Sequence, residues 1–257
     1  MKTVIGINNL SKVFSTKKKK NVHALKNINL NVKEHEFVCI LGPSGSGKST
    51  LLRLMEGLIK PTSGKITVMD KEIRESILDT GMVFQDYSLL PWKNVIDNVS
   101  FGLELRKMSR KERYKISIKI LDKFGLGEFT TSYPHELSGG MKQRVAIARS
   151  IATSPKILYM DEPFGALDAY TRFHMQKDLI DFWIKEKRTV VFVTHSVEEA
   201  IFLGTRVILM SPRPGEIVGD YKIDLPYPRN RWSENFKNLF QQIMSHLDEV
   251  SEQYKVL

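Results

Sequence analysis

The strongest constraint on this chain is a glycine-rich string that lies between two apolar segments. The string reads Gly42-Pro43-Ser44-Gly45-Ser46-Gly47-Lys48-Ser49 and directly follows the apolar run at residues 37–41. A helical pattern of apolar residues follows it, at Leu51, Leu54, Met55 and Leu58. Backbone N–H groups can turn inward around a phosphate only where side chains do not obstruct them, and glycine meets that need. The order strand, loop, helix therefore predicts a phosphate-binding loop, the P-loop, on an α/β fold.

The residue types of the P-loop suit a nucleotide bound with a metal ion. Lys48 would reach the β- and γ-phosphates, and the Ser49 hydroxyl would coordinate Mg²⁺. The alternative is a glycine-rich turn without a function. The predicted nucleotide-binding residues of this segment are Gly42, Pro43, Ser44, Gly45, Ser46, Gly47, Lys48, Ser49 and Thr50.

Length and composition limit the classes of protein. The 257 residues, 42% of them hydrophobic, suffice for one large domain with an attached lobe. No stretch approaches the roughly 18 apolar residues of a membrane span and no signal peptide is recognisable, so a cytoplasmic location is expected. The formal charge of +10 allows nucleotides, acidic lipids or nucleic acid as partners. We interpret the lysine run at residues 17–20 as a solvated turn rather than a nucleic-acid patch, and the single cysteine, Cys39, as a buried strand residue.

Short apolar runs alternate with helical patterns, which is an α/β arrangement. The runs that predict strands, several of them fully apolar as in buried parallel sheets, are residues 37–41, 82–84, 157–160, 190–193 and 207–210. Between residues 85 and 137 the pattern becomes mostly helical, with a capping-box spacing at Ser109 and Glu112. A proline-rich, irregular link after Ser211 leads to a final helical pattern at about residues 232–254.

Further short motifs follow the P-loop. They are Val83-Phe84-Gln85-Asp86, the signature Leu137-Ser138-Gly139-Gly140-Met141-Lys142-Gln143-Arg144, Asp161-Glu162, Ala166-Leu167-Asp168 and Val193-Thr194-His195-Ser196. Together with the P-loop, and in this order, they resemble the nucleotide-binding domain of ABC proteins over about residues 4–220. Met141 departs from the commonest signature, which has glutamine there. The resemblance implies a P-loop NTPase core with a mainly parallel sheet, an N-terminal antiparallel β element and an inserted helical subdomain. It divides the chain into an ATP-binding core at residues 1–85 and 151–220, a helical signature subdomain at 86–150 and a C-terminal extension at 221–257.

The resemblance assigns the chemistry of ATP hydrolysis to particular residues. Glu162 would polarise the attacking water as general base, and His195 would contact the γ-phosphate. Lys48 and Gln85 complete the predicted catalytic set, and the predicted Mg²⁺ site consists of Ser49, Gln85 and Asp161. Without the resemblance, an acidic pair that ends a strand would be read as a cap or surface feature, and a lone histidine as structural.

The same resemblance implies that two copies bind ATP head to tail. Ser138, Gly139 and Gly140 would contact the γ-phosphate held by the opposite copy; the alternative is an ordinary helix capped by Ser138. The resemblance also makes Asp168 a nucleotide-binding residue. Phe14 is at the family's spacing for the aromatic ring that stacks on adenine, although it could also be a core residue. The implied cofactors are ATP and Mg²⁺.

The segment at residues 82–95, with its Leu89-Leu90-Pro91-Trp92 run, is similar to the ATPases of nitrate, sulfonate and taurine importers. So are the segments at residues 211–217 and 225–229. The implied function is the ATP-hydrolysing subunit of a bacterial importer, at the cytoplasmic side of the membrane, with a permease and, indirectly, an extracytoplasmic solute-binding protein as partners. Leu89 and Trp92 would receive a permease helix if they are exposed, or form lobe core if they are buried. The alternative is a non-transport ABC ATPase that acts on DNA or ribosomes; its coiled-coil insertion or second cassette is missing, so no nucleic acid partner is expected.

Overall fold

The computed structural model describes residues 2–15, 21–73 and 75–254. The lysine run at residues 17–20 lies outside the described residues. The chain forms two compact units, the first from Met1–Ile77 and Thr189–Leu257 and the second from Leu78–Arg188.

The described residues of the first unit form two sheets and three helices. The elements are numbered along the whole chain. Its strands are β1 (Thr3–Ser15), β2 (Asn21–Lys33), β3 (Phe37–Leu41), β4 (Ser63–Val68), β5 (Lys71–Glu72), β8 (Thr189–Thr194), β9 (Arg206–Met210) and β10 (Ile217–Lys222), and its helices are α1 (Lys48–Met55), α6 (Val197–Leu203) and α7 (Glu234–Gln253). One sheet has the order β2-β1-β4-β5 with antiparallel pairs, which confirms the predicted N-terminal antiparallel β element.

The other sheet of the first unit carries the P-loop. Its strands follow the order β10-β9-β3-β8, and β3 pairs in parallel with both β9 and β8. Every residue of β3 and β8 is buried, including Cys39, which explains why both strands were visible in the sequence as uninterrupted apolar runs. Leu41 pairs with Thr194, so Gly42 and His195 leave neighbouring strands at the same edge.

Two predictions about the first unit are wrong. Leu58 is not part of the helix after the P-loop, because α1 ends at Met55 and Gly57 takes a positive φ of 77°. Hydrogen bonds from Leu58 N to Arg53 O (2.9 Å) and from Gly57 N to Leu54 O (3.1 Å) close the helix end as a Schellman motif. The link after Ser211 is also less irregular than predicted, since strand β10 lies within it.

The second unit combines a parallel pair of strands with helices. Its elements are β6 (Thr80–Val83), β7 (Ile157–Asp161), α2 (Val95–Leu105), α3 (Arg110–Lys123), α4 (Gly139–Ala152) and α5 (Ala169–Glu186). The predicted helical segment is confirmed by α2 and α3, and Ser109 caps α3 by accepting a hydrogen bond from Glu112 N.

The C-terminal part of the first unit is hydrogen-bonded to the end of α6. Arg229, only 7% exposed, donates to the carbonyl oxygens of Ile201, Phe202 (3.3 Å), Gly204 (2.6 Å) and Leu225 (3.2 Å). The following helix, α7, confirms the predicted terminal helix. Among the described residues, no helix is both long and apolar enough to cross a bilayer.

Candidate active site

The P-loop has a backbone that requires glycine. Gly45 and Gly47 have φ values of 79° and 89°, in the left-handed region. A Cβ at Gly47 would lie 2.7 Å from Leu25 Cδ2 and 2.8 Å from Ala24 O, so a larger residue would be both strained and crowded. Gly47 is also the N-cap of α1, which places the loop at the positive end of a helix dipole.

Lys48 lies within the loop and contacts its carbonyl groups. The side chain is 5% exposed, and its ammonium group donates to Gly42 O and Pro43 O, each at 2.9 Å. Ser46 Oγ is buried and has no hydrogen-bond partner among the described residues. A tight loop with a lysine ammonium and a helix N-terminus fits a polyphosphate, and the Ser49 hydroxyl that follows supplies the oxygen type that Mg²⁺ prefers.

The first unit brings His195 to the edge of the sheet that carries the P-loop. His195 is exposed, directly after buried Thr194, whose hydroxyl hydrogen-bonds to the Glu199 carboxylate. Phe14, on β1, is 40% exposed and therefore not a core residue. The Lys12 ammonium lies 4.9 Å from the centre of the Phe14 ring, so one side of the ring already contacts a cation.

In the second unit, the predicted acidic residues end strand β7. Asp161 is its last residue and is 2% exposed, while Glu162 follows it and is part-exposed. Glu162 has a φ of 44°, which is uncommon for a residue with a side chain and typical of strained positions at functional sites. The left-handed residue turns the chain sharply where the strand ends.

The signature residues and Asp168 line one cleft of the second unit, at the N-termini of α4 and α5. Ser138 caps α4 by accepting a hydrogen bond from Met141 N (3.3 Å), and Asp168 caps α5 by accepting one from Thr171 N (2.9 Å). Hydrogen bonds from Thr171 lower the pKa of the Asp168 carboxyl. Both N-termini add partial positive charge to the cleft, which favours an anion.

The two glycines of the signature leave little room for a side chain in this cleft. A Cβ at Gly140 would lie 2.9 Å from Thr171 Cγ2 on α5, and one at Gly139 would lie 3.2 Å from the Tyr87 hydroxyl oxygen. The structure thus brings Ser138, Gly139, Gly140 and Asp168 together.

Gln85 lies two residues after β6 and is exposed. It lines a second cleft of the same unit with His135, Lys142 and Ala166. Arg149, on the signature helix α4, donates to Tyr87 O (3.1 Å) and Ser88 O (2.7 Å) and so fixes the segment that follows Gln85. Burial lowers the pKa of this guanidinium. The sequence shows Arg149 only as one of several basic residues near the signature.

Residues 210–216, here named the flanking loop, were not predicted to lie at the site. Met210 and Gly215 contact the backbone of the P-loop. The string Pro212-Arg213-Pro214-Gly215 indicates a turn, but no local pattern shows what a turn packs against.

Comparisons with known proteins agree on one family. The family model described as ABC transporter matches residues 25–165. A dimeric structure of a post-hydrolysis state of the ATP-binding cassette MJ0796 bound to ADP and Pi is similar to this chain, with a TM-score of 0.77 and 36% sequence identity over 85% of this chain and 98% of that one.

Curated relatives extend the similarity over nearly the whole length. An uncharacterized ABC transporter ATP-binding protein of Methanocaldococcus jannaschii is 49% identical over 99% of this chain and 96% of its own. The nitrate import ATP-binding protein NrtD of Synechocystis is 52% identical over 88% of this chain and 86% of its own, and the taurine import ATP-binding protein TauB of Rhizobium johnstonii is 47% identical over 86% and 84%. The chain therefore belongs to the ABC transporter family, as an ATP-binding and ATP-hydrolysing subunit.

Proposed function

We propose that this chain powers the uptake of a small solute of the nitrate, sulfonate or taurine type through a membrane permease. The observation that carries the ATP-driven part of the proposal is the glycine-dependent P-loop, which precedes α1 and binds the Lys48 ammonium through Gly42 O and Pro43 O. The names of the relatives NrtD and TauB support import as the purpose of the hydrolysis.

The proposed roles at the site follow the predicted residues. In the first unit, Gly42 to Thr50 bind the phosphates, Phe14 stacks on adenine and His195 contacts the γ-phosphate. In the second unit, Glu162 is the general base, since a carboxylate at neutral pH can accept a proton from water. Gln85 and Asp161 of this unit and Ser49 of the first unit are the residues that would hold Mg²⁺, and the ion would supply neutralisation of charge on the phosphate oxygens.

We further propose that the signature cleft acts on the nucleotide of a second copy, in a head-to-tail dimer. The two helix N-termini at Ser138 and Asp168 support this, because they provide an anion-binding surface. In the proposed functional division, residues 1–85 and 151–220 bind ATP, 86–150 carry the signature, and 221–257 form an extension.

The permease is proposed to dock on the second unit. Trp92 is 71% exposed and Leu105 is 68% exposed, whereas large apolar side chains in a soluble domain are mostly buried. Leu89 is part-buried near Trp92 in the sequence. We therefore propose that the subunit works at the cytoplasmic face of a membrane as a peripheral protein, with a permease and indirectly with a solute-binding protein as partners.

Co-purification tests the proposal. The full chain, tagged and expressed in its own source cells, should be recovered in the detergent-solubilised membrane fraction together with an integral membrane permease. Trp92→Ala should reduce the recovery while ATP hydrolysis by the isolated subunit persists. The matched control is Trp232→Ala, which removes an even more exposed tryptophan, 82% against 71%, from the first unit. Stable capture of ribosomes or DNA in place of a permease would contradict the proposal.

A further inference from the structure

We propose that Arg213 is an additional phosphate-binding residue, whose guanidinium adds positive charge beside the P-loop and helps to hold the triphosphate of the bound nucleotide. The inference rests on the proposed function, because it adds a residue to the same nucleotide site. It is carried by the position of the flanking loop, all within the first unit.

The flanking loop runs along the P-loop and meets it at successive points. A Cβ at Gly42 would lie 2.8 Å from Met210 O, and a Cβ at Gly215 would lie only 2.0 Å from Ser46 O. Between these two contacts, a Cβ at Gly45 would lie 3.7 Å from Arg213 Nη2. The guanidinium is therefore beside the most exposed part of the glycine loop.

The backbone that carries Arg213 is held on both sides. Gly215 donates to Ala24 O and accepts from Lys26 N, both at 3.0 Å. Ser211 Oγ lies 3.0 Å from both Pro212 O and Pro214 O and accepts a hydrogen bond from Glu216 N at 2.9 Å. Because these bonds fix the loop before any ligand arrives, less entropy is lost when the arginine engages an anion.

The charged residues of the flanking loop do not neutralise Arg213, so its guanidinium can bind an anion. Glu216 forms an ion pair with Lys26 at 2.9 Å, whereas Arg213 is exposed and has no ion pair among the described residues. A guanidinium presents several N–H groups in a plane and matches the oxygens of a phosphate in a bidentate way. Lys48 contacts the loop at Gly42 O and Pro43 O, whereas the Arg213 guanidinium lies beside Gly45, so the two charges meet the loop at different points.

Isothermal titration of the full chain with Mg·AMP-PNP and with Mg·ADP tests the inference. We expect Arg213→Gln to raise the Kd for Mg·AMP-PNP by about 3- to 10-fold at low ionic strength, as for a partly screened charge-assisted contact. The effect on Mg·ADP should be smaller because ADP has less charge. Arg213→Lys should restore part of the affinity, and about 0.5 M salt should reduce the difference from the wild type. Lys237→Gln, which removes the same charge from the exposed face of α7, is the control and should bind as the wild type does.

Two results would overturn the inference. One is an Arg213→Gln variant that binds Mg·AMP-PNP within about twofold of the Lys237→Gln control, the range expected of a neutral surface substitution. The other is an unchanged Kd combined with loss of the nucleotide-dependent dimer in light scattering, which would assign Arg213 to the contact with a second copy. If Lys48→Ala weakens binding and Arg213→Gln does not, only this inference fails. If the wild type binds neither nucleotide, the proposed nucleotide site fails with it.

Discussion

Glu162 has a backbone conformation that is rare for a residue other than glycine, directly after the buried end of β7. We predict that Glu162→Gln keeps nucleotide affinity and lowers the rate of ATP hydrolysis by at least about 10²-fold, because the amide cannot accept a proton from water. Phosphate release and titration with Mg·ATP measure the two effects, and light scattering should show an ATP-bound dimer.

The control for this variant is Glu128→Gln, an exposed carboxylate of the same unit, which should hydrolyse ATP at the wild-type rate. Near-normal turnover in Glu162→Gln would show that Glu162 is not the general base. The positive φ would then have a purely structural role in the turn after β7.

Gly47 is a position of the P-loop where a single methyl group would be both strained and crowded. We predict that Gly47→Ala lowers the free energy of unfolding by about 1–3 kcal/mol, because the new Cβ would meet Leu25 and Ala24 O at a positive φ. Nucleotide binding should be lost as well. Urea unfolding of Gly165→Ala is the comparison, since a Cβ there meets nothing closer than 3.5 Å. Equal stability of the two variants would show that the loop relaxes without cost.

At the scale of elements, Arg229 joins the C-terminal segment to α6, the helix that begins just after His195. We predict that Arg229→Met lowers the free energy of unfolding by about 2–5 kcal/mol, because several carbonyl oxygens at the end of α6 lose their donor. Arg53→Met, at an exposed arginine of α1, should change stability by less than about 0.5 kcal/mol. A loss below about 1 kcal/mol for Arg229→Met would mean that water replaces the guanidinium.

The elements also show what sequence reasoning can reach. Strands β3 and β8 were predictable because both faces are buried, so every residue is apolar or small. Strand β10 was not, because it pairs only with β9 and its residues are all at least part-exposed, which gives no apolar run. Helix α1 was predicted too long because Leu58 continues the apolar spacing of the helix. The apolar pattern does not show that Gly57 takes a positive φ, which ends the helix before Leu58.

The candidate site divides in the same way. Residues within one motif, such as Lys48 or the turn at Ser138, could be predicted because the motif is continuous in the chain. Two contacts could not be predicted, namely Arg213 with Gly45 and Arg149 with Ser88. Each one brings together residues that are distant in the sequence and meet only in the folded chain.

At the scale of the whole molecule, the reactivity of the single cysteine can measure how much nucleotide binding stabilises the fold. Cys39 lies fully buried in β3, three positions before the P-loop, and burial raises the pKa of its thiol well above the usual value. A buried, protonated thiol does not react with alkylating reagents, so labelling requires the sheet of the first unit to open. We predict that iodoacetamide labels Cys39 of the native protein only through molecules in which this sheet has opened. Protein unfolded in urea should be labelled at the rate of an exposed thiol.

Nucleotide that binds the folded chain alone should slow this labelling by mass action. With Mg·AMP-PNP at 100 times its Kd, opening becomes less favourable by about 2.7 kcal/mol, which corresponds to roughly 100-fold slower labelling of Cys39. Lys48→Ala should lose this protection at the same nucleotide concentration, because the variant lacks the ammonium group that binds the phosphates. The labelling rate of the variant without nucleotide measures how much the substitution itself destabilises the fold. A wild-type labelling rate that is the same with and without Mg·AMP-PNP would show that the nucleotide does not bind to the folded P-loop.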